Sequence, residues 1–100
     1  MKDKKTLLIV DDDQQVLASL KRLFRREGYH ILTSHDGMEA LELMARQRVD
    51  VVLTDMRMPN MDGATFLGRV AEFWPEAARL LMTGHADLES TVQAINRGGL

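Results

Sequence analysis

Hydrophobic positions along the chain follow two rhythms. Leu7-Leu8-Ile9-Val10 and Val51-Val52-Leu53-Thr54 are short runs with almost no polar interruption. Runs of that length that do not alternate predict strands buried on both faces. Between and after them the spacing becomes helical. Val16, Leu17, Leu20, Leu23 and Phe24 predict a first helix, closed by Gly28. Tyr29 to Ser34 reads as a weaker, more polar strand suited to an edge. Asp36-Gly37 opens a second helix, with Met38, Leu41, Met44 and Ala45 expected on its inner side. Asp62-Gly63 opens a third, with Phe66, Leu67, Val70 and Trp74 inward, stopped by Pro75. Ala78 to Met82 predicts a fourth strand. Asp87 then caps a fourth helix carrying Leu88, Val92 and Ile95 and ending near Gly98-Gly99.

A strand followed by a helix, four times over, predicts an α/β domain: a doubly wound parallel sheet with helices on both faces. The short list of allowed crossovers gives the strand order 2-1-3-4. Ligands in such sheets sit at the carboxyl ends of the strands, where the order reverses.

Composition narrows the picture without changing it. One hundred residues make one domain, and 45% hydrophobic with 28% charged residues fits an ordinary globular chain. A net charge of -2 supplies no general attraction to nucleic acid or to an acidic membrane, so neither is expected as a direct partner. The absence of cysteine excludes disulfides and thiolate metal sites. The basic start is followed by only four apolar residues, too few for a signal peptide or a membrane span, and a cytoplasmic location is expected.

The acidic residues carry the chemistry. The first strand runs into Asp11-Asp12-Asp13, and the third ends at Asp55. If both strands are parallel neighbours, these acids meet at one sheet edge. Crowded carboxylates repel unless a cation joins them, and Mg²⁺ accepts such oxygen ligands. Asp55, standing alone at a strand end, is the candidate nucleophile for a phosphoryl group, with Asp11 and Asp12 as metal binders. Each acid also has a plainer reading. Asp13, nearest the helix, suits an N-cap, and Asp55 alone could be a turn residue. Three consecutive acids exceed what capping needs. Thr83, at the end of the fourth strand, could donate its hydroxyl to a phosphoryl oxygen. His30, His35 and His85 share no metal-ligand spacing, and Met56, Met58 and Met61 suit packing around the acceptor loop. Arg22, Arg25 and Arg26 complement the dipole of the first helix on a solvated face, with docking of a protein partner as the sharper alternative.

Ile9-Val10-Asp11-Asp12-Asp13, Thr54-Asp55-Met56-Arg57-Met58-Pro59, Asp62-Gly63 and Met82-Thr83-Gly84 together resemble the receiver domain of two-component response regulators, over essentially the whole chain. The resemblance implies a flavodoxin-like fold and a signalling switch in which Asp55 takes phosphate from a sensor histidine kinase. It implies Mg²⁺ held by Asp12, Asp55 and the backbone carbonyl of Arg57, with Asp11 acting mainly through water. It implies that Thr83 moves toward the phosphate, and that the side chains of Arg57 and His85 modulate its lifetime. Such a domain catalyses only its own phosphorylation and dephosphorylation.

The family also has a fifth strand bearing a lysine, and no lysine follows Lys21. The expectation is therefore an incomplete receiver, residues 1–100, from a longer regulator whose output domain would follow. Its fourth strand would then be an exposed edge prone to self-association or exchange of elements. Two other readings are a pseudo-receiver used only for protein interaction and a small phosphatase or phosphotransferase. The latter wants a second acid two positions after the nucleophile, where this chain has Arg57.

Overall fold

The computed structural model describes residues 4–82. Seven elements follow in order: β1 (Thr6–Val10), α1 (Gln14–Arg25), β2 (His30–Ser34), α2 (Gly37–Arg46), β3 (Val51–Asp55), α3 (Gly63–Phe73) and β4 (Ala78–Met82). The four strands form one parallel sheet in the order β2-β1-β3-β4. This is the predicted architecture and strand order. The fourth predicted helix, from Asp87, lies outside the described residues.

The two apolar runs are buried on both faces, which is why they do not alternate. Leu8, Val10 and Val52 pack under α2 and α3 with Ala40, Met44, Phe66 and Val70. Leu7, Ile9 and Leu53 face the other way and pack with Leu17 of α1. β2 is an edge strand, with His30 exposed and only Ser34 fully buried. Among the described strands β4 lies at the opposite edge, and all five of its residues are partly buried.

Each helix begins where the sequence signals it. Asp13, Asp36 and Asp62 are the N-caps, and their carboxylates accept from the backbone N–H groups of Gln15, Glu39 and Thr65 at 2.8–2.9 Å. At the other end of α1, Gly28 adopts φ +89°, and its N–H donates to the Arg25 carbonyl at 3.1 Å. No helix among the described residues is long and apolar enough to cross a membrane.

Two helix faces differ from the prediction. The inner face of α2 is Gly37, Ala40 and Met44; Met38 is 56% exposed and Ala45 is exposed. The cause is close approach. A Cβ on Gly37 would lie 2.9 Å from the sulfur of Met61. Small residues therefore face inward, and the helix is turned so that Met38 points to solvent. On α1, Leu17 is buried while Leu23 is 55% exposed. That helix contacts β1 and β2, and the narrow seam is filled by Leu17, Leu20 and Phe24.

Candidate functional site

Strand register brings the acids together. Val10 pairs with Thr54, so the chain leaves β1 at Asp11 directly beside the end of β3 at Asp55. One carboxylate oxygen from each of Asp11, Asp12 and Asp55 lies within 4.8 Å of the others. Asp13, the remaining acid of the run, is committed to capping α1.

The three differ in exposure. Asp11 is buried, Asp55 half-buried and Asp12 exposed. Asp11 is fixed twice: its N–H donates to the Ser34 carbonyl at 3.1 Å, and its Oδ1 accepts the Asp13 N–H at 2.8 Å. Burial raises the Asp11 pKa above its ordinary value; the Asp13 N–H pulls it back, and the charges of Asp55, Asp12 and Asp13 raise it again. At an effective dielectric constant of about 20, two carboxylates roughly 4–5 Å apart repel by about 3–4 kcal/mol. A divalent cation removes that repulsion.

The donor set fits a hard cation. It consists only of carboxylate oxygens, with no sulfur or imidazole, and three carboxylates leave positions for water, as Mg²⁺ prefers. No hydrogen bond among the described residues engages the Arg57 carbonyl, which leaves it free to act as a further oxygen donor. The Arg57 side chain is exposed. Thr83 and His85 lie outside the described residues.

The loop after Asp55 is shaped by backbone contacts. The Met56 N–H donates to the Met82 carbonyl at 3.0 Å, and the Gly63 N–H donates to the Met56 carbonyl at 2.8 Å. Asn60 takes a left-handed φ of 73°. A Cβ on Gly63 would lie 2.3 Å from the Asp55 carbonyl oxygen, so only glycine lets α3 start this close to the strand end. Beneath the loop, the buried Thr54 hydroxyl donates to the Asp55 carbonyl at 3.0 Å and contacts the Met58 sulfur at 3.6 Å. Met61 is part of the core. These contacts agree with packing roles for Met58 and Met61. An open cleft of about 710 Å³, lined by Asp12, Met56, Arg57, Met58, Pro59 and Asp62, flanks the carboxylates.

Sequence reasoning missed the support behind Asp11. Ser34 is buried, and its hydroxyl donates to Glu39 Oε1 at 2.8 Å; the same oxygen accepts the His35 N–H at 3.1 Å. These bonds lower the Glu39 pKa, that from Ser34 most. Asp36 and Glu39 stand at capping-box spacing, which could have signalled the region. Here Glu39 reaches past the cap to His35 and Ser34.

The family model described as the response regulator receiver domain matches residues 7–100. The chain is 39% identical over 101 residues to the hydrogenase transcriptional regulatory protein HoxA of Cupriavidus necator, covering 100% of this chain and 21% of that protein. It is 37% identical over 90 residues to the DNA-binding transcriptional regulator NtrC of Escherichia coli, covering 90% of this chain and 19% of the regulator. The chain thus spans about a fifth of these curated relatives. Among solved structures, the signal receiver domain of an HD domain-containing protein from Pseudomonas fluorescens matches with a TM-score of 0.80 and 33% identity, over 100% of this chain and 74% of that one.

Proposed function

The chain belongs to the response regulator receiver domain family, and from that premise we propose that Asp55 accepts a phosphoryl group from the phosphohistidine of a sensor histidine kinase, with Mg²⁺ bound beside it. The convergence of Asp11, Asp12 and Asp55 at one sheet edge carries this reading.

Phosphoryl transfer asks for in-line positioning and charge neutralisation. Asp55 Oδ forms the new O–P bond as the N–P bond of the donor breaks, and the freed imidazole takes up a proton. Asp11 and Asp12, with Asp55 and the Arg57 carbonyl, would hold the cation, whose charge would offset that of the incoming group. Asp11 does so from a fixed position, because Ser34 and Asp13 hold it. Glycine at 63 lets α3 start against the Asp55 carbonyl while the Asp55 side chain stays half-buried. Thr83 serves as the switch hydroxyl, and the side chains of Arg57 and His85 modulate phosphoryl lifetime. The reaction is the domain's own phosphorylation and hydrolysis, with no external metabolite turned over.

The relatives are transcriptional regulators of roughly five times this length, which supports a cytoplasmic receiver that signals to an output domain.

The functional reading is tested by incubating folded protein with Mg²⁺ and a small phosphodonor, then mapping the modified residue by peptide mass spectrometry. The expected result is Mg²⁺-dependent phosphorylation at Asp55, abolished in Asp55→Asn. Cation binding without modification of the folded chain would favour the pseudo-receiver. Sustained turnover of phosphate monoesters would favour a hydrolase.

A further inference from the structure

The amino-terminal edge of the sheet, opposite the carboxylates, carries a second surface that the phosphoryl chemistry does not use. Lys4 and Lys5, the last turn of α1 and the turn into β2 enclose an open groove of about 760 Å³. Its floor is apolar and ordered: Phe24 and Tyr29 meet edge to face, with ring centroids 6.1 Å apart. Leu23 stands on the rim at 55% exposure. The backbone on both sides is tied down. The His30 N–H donates to the Lys5 carbonyl at 2.9 Å, and the N–H groups of Glu27 and Gly28 close the end of α1. The groove is therefore preformed, which lowers the ordering cost of filling it.

Its charge is one-sided. Lys4 and Lys5 line it, and Arg22, Arg25 and Arg26 stand on the adjoining turns, all of them exposed; the acid at this end of α1 is Glu27. Among the described residues the ion pairs are His35 with Glu39 and Arg48 with Asp50, so none of these five cations is neutralised by a partner. Complementing the dipole at the end of α1 accounts for Arg22 and Arg25. It does not account for Lys4 and Lys5, which come from a different segment and flank the same apolar floor. A chain of net charge -2 thus places an excess of positive charge around its exposed Leu23 and aromatic pair.

We propose that this groove docks an acidic peptide segment of a partner protein, seating an apolar anchor side chain over Phe24 and Tyr29 while its carboxylates meet Lys4, Lys5 and the arginines of α1. The match is one of charge and shape. An anchor needs a desolvated pocket at the centre and opposite charge at the rim. A concave site suits an inserted side chain better than a flat bilayer. The groove lies at the far end of the sheet from Asp55.

The test uses the full chain and a fluorescein-labelled twelve-residue peptide of alternating Glu and Asp around a central Leu-Phe pair. Two controls keep the length: one replaces Leu-Phe by Ser-Ser, the other replaces the acids by Lys. Anisotropy should show saturable binding of the acidic, apolar peptide, with Kd on the order of 10–100 μM as expected for a small interface. Both controls should bind at least about tenfold more weakly, and raising the salt should weaken binding because the rim charges are exposed. Amide chemical shifts should move at residues 4–5 and 23–29. Leu23→Ser and the double change Lys4→Glu with Lys5→Glu alter exposed positions, and each should reduce affinity at least about fivefold with an unchanged circular dichroism spectrum. Equal binding of the Ser-Ser control would overturn the proposal, as would full affinity in both variants or shifts located elsewhere. Tighter binding to phosphatidylserine vesicles or to a DNA duplex, in competition with the peptide, would overturn it as well.

Discussion

Two strand-to-helix exits lie side by side at the carboxyl edge of the sheet, and both are acidic. After β2, Asp36 caps α2, and Glu39 accepts from the Ser34 hydroxyl and the His35 N–H. After β1, Asp13 caps α1, and Asp11 accepts a single N–H while facing Asp12 and Asp55. The Glu39 pKa is lowered, chiefly by the Ser34 hydroxyl, and the Asp11 pKa is raised, chiefly by burial. One exit has matched its acids with donors from the fold. The other holds more carboxylate than the fold satisfies, and the proposed cation site rests on that surplus.

The contrast can be broken most forcefully at Gly63. Gly63→Ala places a methyl group against the Asp55 carbonyl. The expected cost is about 2–4 kcal/mol by chemical denaturation, as for other overpacked backbone contacts, with loss of Asp55 phosphorylation. Wild-type stability with normal modification would show that the loop yields freely.

Asp11→Asn keeps an oxygen for the Asp13 N–H and removes the surplus charge. The cation-free protein should gain about 1–2 kcal/mol of stability while its Mg²⁺ affinity falls. A loss of stability instead would mean that Asp11 is satisfied without a cation.

Glu39→Gln tests the other exit. Glu39 is half exposed, so the expected loss is only about 0.5–1 kcal/mol, with Mg²⁺ affinity unchanged. A clear fall in Mg²⁺ affinity would mean that the two exits are coupled through Ser34.

The smallest effect is in pH. The folded state binds the Asp11 proton more tightly than the unfolded chain does, so this acid lowers stability as pH rises from its ordinary value of 3.8 through its raised folded value. Glu39 acts oppositely. Its contribution is present above its ordinary 4.5 and is lost as pH falls through its lowered folded value. Denaturation across this acidic range should show wild type gaining from added Mg²⁺ increasingly as pH rises. Asp11→Asn should show a smaller gain, and Glu39→Gln should flatten the loss on acidification. Equal Mg²⁺ effects at all pH values would contradict the assignment.

Much of this was legible in the sequence. Unbroken runs ending in aspartates predicted both strands, and the reversal of strand order predicted that Asp55 would meet Asp11 and Asp12. What escaped depends on distant contacts. Met38 belongs to an apolar helical pattern, but the inner face of α2 is set by Met61 lying against Gly37. Leu23 continues the periodicity of α1, yet the seam against β1 and β2 is filled by Leu17, Leu20 and Phe24. The demand for glycine at 63 comes from the Asp55 carbonyl, eight residues back in the chain and adjacent only after folding. The Ser34–Glu39 bond is local, and the capping-box spacing of Asp36 and Glu39 marked its region, but the reach of Glu39 past the cap to Ser34 and His35 is set by how β2 ends.

The most direct test of the central claim is a titration with Mn²⁺, a paramagnetic substitute for Mg²⁺, monitored by amide line broadening. Broadening should centre on residues 11, 12 and 55, be reversed by excess Mg²⁺, and weaken by about tenfold or more in affinity in Asp12→Asn and in Asp55→Asn. Broadening centred on another group of acids, or left intact by both substitutions, would contradict the claim that these three carboxylates form one cation site.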